Sequence, residues 1–360
     1  MDEVVVLADR DSEPCTSLPG LRIEPTWTVD SPLAPSQILG AIAREAPDMV
    51  WFNTQLMLGQ SAVVNMLRLF TPALAKCLGW PVAVTLHHFI EASAVDQLGA
   101  NTSPLHRQAG RFATQLQCSA DALCVTLERY VDLVGEHYAA QRVVHIPHHV
   151  FAHPTPHPVR KRGRKLLCLG LQAPFKGLNV LLEAVRLASR TMPDLQLTVA
   201  GAVHPRFSAS CVPEVGSRRV RHLGEMDELA MNHLLADSDV VVVPSLATTG
   251  SSSVIHRAMA HGKAIVASDL PDFRALVQEE GAAIEFCAAG DVAGLAQAIV
   301  RVCEDQPLRR LAGERNLAAA SRLTPAIVAG MYLGLFHSLT QPAPLSVMPR
   351  LAPASQPLVA

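Results

Sequence analysis

Short apolar runs alternate with segments whose apolar residues recur every three or four positions, through most of the 360-residue chain. The short runs predict buried strands, and the helical spacing predicts helices packed on them. In the first half the runs are VVVLA (4–8), DMVWFN (48–53), PVAVTLHH (81–88), ALCVTL (122–127) and VVHIP (143–147). The alternation of strand and helix predicts a parallel sheet covered by helices on both faces.

The pattern breaks at residues 148–165, where three prolines and a basic run predict an interdomain connection. Alternation then restarts with LLCLG (166–170). We therefore expect an α/β protein of two Rossmann-like, doubly wound domains, residues 1–150 and 151–323, facing each other across a cleft. A helix at 324–340 is expected to pack back toward the first domain. The segment 341–360 has five prolines and no period, so we expect it to be disordered.

Composition narrows the class of protein. Apolar residues make up 49% of the chain and charged residues 17%, which allows a sizeable core. The net charge of −2 predicts no nucleic-acid partner. Eight cysteines without a CxxC pair fit reduced thiols, and an acidic start fits no signal peptide. We expect a cytoplasmic protein, with peripheral contact at the inner face of the membrane left open.

One turn, within PSLATTGSSSVIHRAMAHGKAIVASD (244–269), follows a predicted strand and opens a helix with hydroxyls and glycine but no acid. Helix N-termini carry about half a positive charge, and glycine lets the backbone approach a ligand. The turn therefore predicts a phosphate or diphosphate site, and simple helix capping is the alternative. Its residues are Thr248, Thr249, Gly250, Ser251, Ser252 and Ser253.

Four segments resemble, in order, the donor domain of retaining GT-B glycosyltransferases of family four (glycosyl transferases group 1). They are LGLQAPFKGLNVLLEAVRLA, VRHLGEMDELAMNHLLADSDVVVVPS, the 244–269 block and GAAIEFCAAGDVAGLAQAIVRVCED. PVAVTLHHF, ADALCVTLERYVD and VVHIPHHV are weaker matches in the first half. The resemblance implies a GT-B fold and sugar transfer from a nucleotide diphosphate sugar, with no metal or other cofactor.

The resemblance also implies binding residues for the donor. Lys176 and Gly177 match the family's phosphate-binding lysine and the glycine after it. The family's arginine and its two glutamates, spaced E-x7-E, are replaced by Leu171, Thr248 and His256. His256 could still donate to ribose hydroxyls, or it could be a buried histidine bonded to backbone. The replacements leave a second function open, an inactive homologue that binds and activates another glycosyltransferase; a sugar-nucleotide epimerase is a third.

The start of the chain departs from the family as well. VVVLADRDSEP resembles the family's second strand, and GLRIEPTWT (20–28) resembles its third. We therefore expect the first strand, glycine-rich loop and helix to be missing, because the chain starts late or the first domain is shortened.

Histidines supply the remaining candidates. His87 and His88 end a strand where the family often has a histidine at the donor sugar, so we predict that one of them is catalytic and faces the cleft. A further group matches no zinc spacing and is expected to be a polar connection without metal. It comprises His145, His148, His149, His153 and His157.

Two sets of charged residues could have a functional role or could simply be solvated surface residues. The basic run could touch anionic lipid or a lipid-phosphate acceptor, or it could be a solvated linker face. It comprises Arg160, Lys161, Arg162, Arg164 and Lys165. Four acids could be catalytic bases, but solvated loop acids are expected. They are Glu91, Asp96, Asp269 and Asp272.

The leading function is thus a retaining glycosyltransferase of hexosyltransferase type in bacterial polysaccharide or glycoconjugate biosynthesis. Its expected partners are a nucleotide-sugar donor and a sugar, lipid-linked or small-molecule hydroxyl acceptor.

Overall fold

The computed structural model describes residues 3–10, 19–54, 62–87, 89, 104–204, 219–248 and 250–341. The strands of the first half are β1 (Val4–Asp9), β2 (Leu21–Trp27), β3 (Val50–Thr54), β4 (Val82–Leu86), β5 (Ala122–Val125) and β6 (Val143–His145). Its helices are α1 (Ala34–Glu45), α2 (Ala62–Leu69), α3 (Thr71–Cys77), α4 (Pro104–Cys118) and α5 (Arg129–His137).

The second half repeats the alternation. Its strands are β7 (Lys165–Leu169), β8 (Gln196–Ala200), β9 (Val220–Leu223), β10 (Val240–Val243), β11 (Ala264–Ser268) and β12 (Ile284–Cys287). Its helices are α6 (Leu178–Ala188), α7 (Glu228–Asp237), α8 (Ser253–Ala260), α9 (Pro271–Ala275), α10 (Val292–Glu304), α11 (Gln306–Ser321) and α12 (Pro325–Thr340). A 3₁₀ turn covers Pro174–Lys176, and a π-helical turn covers Leu276–Glu280.

The second-half sheet is a single parallel layer in the order β12-β11-β10-β7-β8-β9. Every residue of its central strands β10 and β11 is buried. VVVV and AIVAS are unbroken runs of small and β-branched residues, which is typical of parallel strands covered on both faces. Helices α6 and α10 pack on one face, and α8 and α9 lie against the other. The alternation of apolar runs and helical segments predicted this sheet correctly.

The first half is divided between two sheets. Strands β3-β4-β5-β6 form a four-stranded parallel sheet, and β1 and β2 form a separate parallel pair. All of β4 and β5 is buried, but β3 alternates between half-buried and exposed residues. In β1, Val4 and Val6 are 40% and 42% exposed. The described part of this half is therefore less completely covered than the second half.

Helix α12 lies against the first-half sheet. Its buried residues Val328 and Leu335 pack with residues of β5 and with Ile146. Tyr332 is within 3.1 Å of the Thr85 hydroxyl, and its ring centroid is 4.8 Å from that of Trp51. Residues 306–340 meet a length and hydropathy test for membrane spanning, and they form two helices, α11 and α12. The predicted disorder covers 341–360, of which residues 342–360 lie outside the described residues.

The connection between the halves, residues 146–164, has no helix or strand. Its carboxyl end is fixed to the second half by charged side chains. Arg160 binds Asp237 and Asp239, and Arg164 binds Asp194 and Glu304. Much of the basic run is thus not a purely solvated face, since these arginines and Lys165 form ion pairs with acids. Lys161 and Arg162 are exposed.

Arg309 of α11 completes this attachment. Its side chain is 2% exposed, and its guanidinium donates to carbonyl oxygens at the end of α10 and in the connection. The acceptors are the carbonyls of Val302, Cys303, Arg160 and Lys161. The last carbonyls of a helix lack intrahelical donors, so the guanidinium supplies them.

Candidate functional site

Two loops of the second domain meet at the carboxyl edge of its sheet. The 3₁₀ turn follows β7, and residues 244–252 follow β10. The amide of Leu246 donates to the carbonyl of Phe175 at 2.8 Å. Gly177 has φ +72, and any Cβ there would overlap the carbonyl oxygen of Pro244. A glycine is therefore required for the turn to contact the end of β10.

Lys176 is the last residue of this 3₁₀ turn. Its ammonium lies 5.5 Å from the ring centroid of Phe175 and, among the described residues, has no hydrogen bond or ion pair. Burial lowers the pKa of this amine, and the buried Cys168 thiol lies nearby. A desolvated cation without a counterion is stabilised by any anion that enters, so Lys176 can bind phosphate oxygens.

The hydroxyl-rich turn opens α8 beside the first domain. Ser252 caps the helix by accepting from the amide of Ile255 at 3.4 Å, which is the capping expected from the sequence. Gly250 is buried, and a side chain there would collide with the carbonyl oxygen of His87 at the end of β4. The turn therefore lies between the two domains. Ser251 is partly buried and Ser253 is exposed, whereas Thr249 and His88 lie outside the described residues.

Thr248 takes part in a link between the domains. Its hydroxyl donates to Asp272 at 2.7 Å, and the other oxygen of that carboxylate binds Arg129 of the first domain. Asp272 is 1% exposed, so the expectation of a solvated loop acid was wrong for this residue. Glu279 adds to the link by accepting from the amides of Glu128 and Arg129 at 2.7 and 3.2 Å. The carboxylate thus lies at the N-terminus of α5, where it is favoured.

The other three acids differ in their placement. Asp269 is a surface acid that binds Arg274, at 2.6 Å from Nε. That agrees with the expected solvated role. Glu91 and Asp96 lie outside the described residues.

His256 is completely buried in the first turn of α8. Its Nδ1 is 2.8 Å from the carbonyl oxygen of Ser252, and its Nε2 is 2.9 Å from a carboxylate oxygen of Glu280. The Ser252 carbonyl can only accept, so Nδ1 carries a proton, and the adjacent Glu280 carboxylate favours a second proton on Nε2 as an ion pair rather than through a hydrogen bond. Burial lowers its pKa, but the Glu280 carboxylate outweighs burial and the net shift is upward.

Of the two alternatives for His256, the structure has the buried histidine bonded to backbone. Contact with the donor ribose stays a prediction that requires the ring to leave this position. Glu280 was not among the sequence candidates, because nothing in the pattern joins it to a residue 24 positions earlier.

Three polar side chains gather at the carboxyl edge of the first-domain sheet. Asn53 lies at the end of β3, His87 follows β4, and His148 follows β6. His87 Nε2 is 2.5 Å from Asn53 Oδ1, and the rings of His87 and His148 are 6.2 Å apart. Burial lowers the pKa of His87, and burial together with neighbouring histidines lowers that of His148 to about 4. Both rings are therefore neutral at neutral pH.

Sequence reasoning placed His148 in a polar connection and did not select Asn53. A polar residue that ends an apolar strand was the available signal for Asn53. Within the described residues, no group of three histidines, cysteines or acids is arranged to hold a metal ion.

The two faces of this site offer different chemistry. The second domain contributes one ammonium, a helix N-terminus and hydroxyl donors, which suit a diphosphate. The first domain contributes neutral imidazoles and an amide, which suit uncharged hydroxyl groups.

Two doubly wound domains whose sheet edges face each other, with a last helix returning to the first, define the GT-B class of glycosyltransferase fold. A family model described as glycosyl transferases group 1 matches residues 163–305. The chain is therefore similar to glycosyl transferases group 1 over those residues. The predicted GT-B fold and the predicted resemblance to this family are confirmed.

Among curated proteins, the chain is similar to the phosphatidyl-myo-inositol mannosyltransferase of Mycobacterium leprae. Identity is 29% over 181 residues, 49% of this chain and 47% of that protein. The protein of the same name from Propionibacterium freudenreichii is 31% identical over 160 residues, 43% of this chain and 40% of that protein. The matched region thus spans about half the length of these relatives.

Solved structures show the same fold at low sequence identity. A sucrose-phosphate synthase from Thermosynechococcus elongatus superposes with a TM-score of 0.69 at 18% identity, covering 93% of this chain and 88% of that one. The Anabaena protein Alr3699/HepE, solved with UDP and glucose, gives 0.66 at 17% identity, covering 88% and 86%.

Proposed function

We propose that the protein is a retaining glycosyltransferase that moves a hexose from a nucleotide diphosphate sugar to a hydroxyl acceptor. The observation that carries the proposal is the ammonium of Lys176, which pairs with none of the described residues, in a turn whose Phe175 carbonyl accepts from Leu246 of the loop leading to α8. These groups converge at the carboxyl edge of a parallel sheet, where such folds bind ligands. The match of residues 163–305 to a glycosyltransferase family model supports the same conclusion.

Lys176 and the hydroxyl-rich turn act on the departing diphosphate. Negative charge grows on its oxygens as the bond to the sugar breaks, and preorganised donors at that point lower the barrier. The ammonium is held by the rigid 3₁₀ turn, and Gly177 fixes that turn against β10. No protein nucleophile is needed, and no acid of the turn competes with the anion.

The similar proteins indicate the classes of donor and acceptor to test. The curated relatives are named phosphatidyl-myo-inositol mannosyltransferases, and the Anabaena structure contains UDP and glucose. A uridine or guanosine diphosphate hexose is therefore the first donor to test. A sugar, a polyol headgroup or another small hydroxyl compound is the first acceptor. We place the reaction in bacterial polysaccharide or glycolipid biosynthesis, on the cytoplasmic side, and peripheral membrane contact stays a prediction.

A role as an inactive partner of another glycosyltransferase is the second candidate. Leu171, Thr248 and His256 replace polar donor contacts that the family resemblance implies. Thr248 and His256 are instead bonded within the protein. The retained phosphate-binding lysine favours the enzyme, because a partner protein has no need of an unpaired, desolvated cation.

A panel of uridine and guanosine diphosphate hexoses, scored for binding and for release of nucleotide, tests the function. The matched variants are Lys176→Ala and Lys161→Ala, since Lys161 is an exposed lysine of the connection. We expect Lys176→Ala to reduce nucleotide release about 10²- to 10³-fold, by analogy with the loss of one oxyanion donor, and Lys161→Ala to change nothing. Equal release by both variants overturns the proposed role of Lys176. Failure of wild type to bind any donor favours the partner role.

A further inference from the structure

His148 lies where the two domains meet. Its ring centroid is 5.2 Å from that of His256 in the first turn of α8 and 6.2 Å from that of His87 at the end of β4. Phe151 closes another side at 5.1 Å. The residue is half-buried, so part of its surface can still contact a ligand.

The protonation of the His148 ring follows from its one hydrogen bond. Its Nδ1 is 2.9 Å from the carbonyl oxygen of His149, which can only accept, so Nδ1 carries the proton. Its Nε2 therefore holds a lone pair. Across the part of the chain that the structure describes, that lone pair has no hydrogen-bond partner. A half-buried acceptor without a donor is satisfied by an O–H or N–H group of a ligand.

The lone pair on Nε2 requires a hydrogen-bond donor, and the charges around the ring favour a neutral donor over a cation. The imidazolium of His256 lies on one side, which disfavours a second positive charge. Burial and that neighbour lower the pKa of His148 to about 4, so the ring stays neutral and is a poor store for a proton. His148 is thus suited to hydrogen bonding rather than to proton abstraction.

We propose that Nε2 of His148 accepts a hydrogen bond from a hydroxyl group of the acceptor substrate, and so binds an uncharged polyol such as a sugar or cyclitol ring. The inference deepens the proposed glycosyltransferase function and depends on it. Asn53 and His87 lie along the same sheet edge and can bind further hydroxyls of the ring. His148 is an acceptor-binding residue, so its loss weakens the acceptor complex and leaves the donor site unchanged.

Nucleotide release by wild type, measured with and without myo-inositol or a methyl hexopyranoside, separates the two proposals. Donor hydrolysis in water alone reports the donor site, and the increase caused by the polyol reports the acceptor site. The variants are His148→Ala, His148→Gln, whose amide oxygen can accept the same hydrogen bond, and His153→Ala, an exposed histidine of the same connection.

We expect His148→Ala to raise the KM for the polyol about three- to tenfold, the loss of one hydrogen bond, and to change that KM more than it changes donor hydrolysis or the donor KM. His148→Gln should recover part of the affinity, and His153→Ala should match wild type. An unchanged polyol KM in His148→Ala overturns the inference, as does a wild type whose release no polyol alters. A wild type that hydrolyses no donor contradicts the proposed function itself.

Discussion

The two sheets differ in how completely they are removed from water. In the second domain, β10 and β11 are buried along their whole length, and the six strands form one layer. In the first domain, β1 and β2 form a separate pair, and β3 exposes every second residue. Residues placed on fully packed strands are held in position by many contacts. The comparison indicates that the proposed donor side is the more firmly packed half of the site, and the proposed acceptor side is the less firmly packed half.

The largest loss of stability is expected at the buried ion pair of the second domain, His256 and Glu280. Glu280→Ala leaves the His256 imidazolium without its carboxylate in a completely buried position. Removing one member of a buried ion pair costs about 3–5 kcal/mol of unfolding free energy. Urea denaturation at pH 6 measures the loss. The matched control is Glu304→Ala, which removes a half-exposed acid that binds Arg164 and should cost at most about 1 kcal/mol.

The same pair predicts the pH dependence of stability. The folded-state pKa of His256 is raised above its ordinary value of 6.5, so the folded protein binds its proton more tightly than the unfolded chain. The contribution is therefore complete below pH 6.5 and is lost as pH rises through the folded pKa. Glu280→Gln should flatten this decline. A wild type whose stability rises from pH 6.5 to 8.5 through this pair would contradict the assignment of an imidazolium.

A smaller but still large effect is expected at Gly177. In Gly177→Ala the Cβ meets the carbonyl of Pro244 in a backbone conformation that alanine rarely adopts. We expect the free energy of unfolding to fall by about 1–3 kcal/mol. We also expect a weaker donor complex, because Lys176 is displaced with the turn. Gly224→Ala is the control, since nothing lies within 4 Å of its Cβ and its φ is not positive. Equal unfolding midpoints for the two variants would show that the turn relaxes freely.

The smallest effect is expected in the less covered first domain. Trp51→Phe removes the hydrogen bond from the indole Nε1 to Thr85, 2.9 Å long, where β3 contacts α12. Trp51 is half-exposed, so we expect the free energy of unfolding to fall by about 0.5–1.5 kcal/mol. Trp80→Phe is the control, because its indole has no hydrogen bond to any residue the structure describes. A loss of unfolding free energy as large as that of Gly177→Ala would contradict the difference in packing between the two domains.

The sequence allowed the strands, the connection and the turn that caps α8 to be predicted, because each is encoded locally. VVVV and AIVAS are recognisable as buried strands from their own residues. Gly177 is recognisable as the glycine of the turn from its place after Lys176. Links that join distant positions were not predictable in this way. Arg129 and Asp272 are 143 residues apart, and no periodicity relates them.

The position of His148 beside α8 could not be predicted for a different reason. Its neighbours HHVFAH have neither a ligand spacing nor a helical period, so composition alone suggested a polar connection. Only the fold brings the end of β6 next to α8 and gives the ring a place at the junction. The division of the first domain into two sheets could not be predicted either. The run VVVLA predicts a strand whether it joins the main sheet or forms a separate pair.

The attachment of the connection by Arg160, Arg164 and Arg309 also determines where the molecule can bend. Backbone bonds extend that attachment to Val150, whose amide donates to Leu323, and to Thr155, whose amide donates to Ala260. The chain crosses between the domains at 146–149 and again at 323–324, and the Val150 bond holds these crossings side by side. A rotation that opens the cleft would therefore turn about these two crossing segments. His148 would lie close to the rotation axis, and the outer edge of the cleft would move farthest.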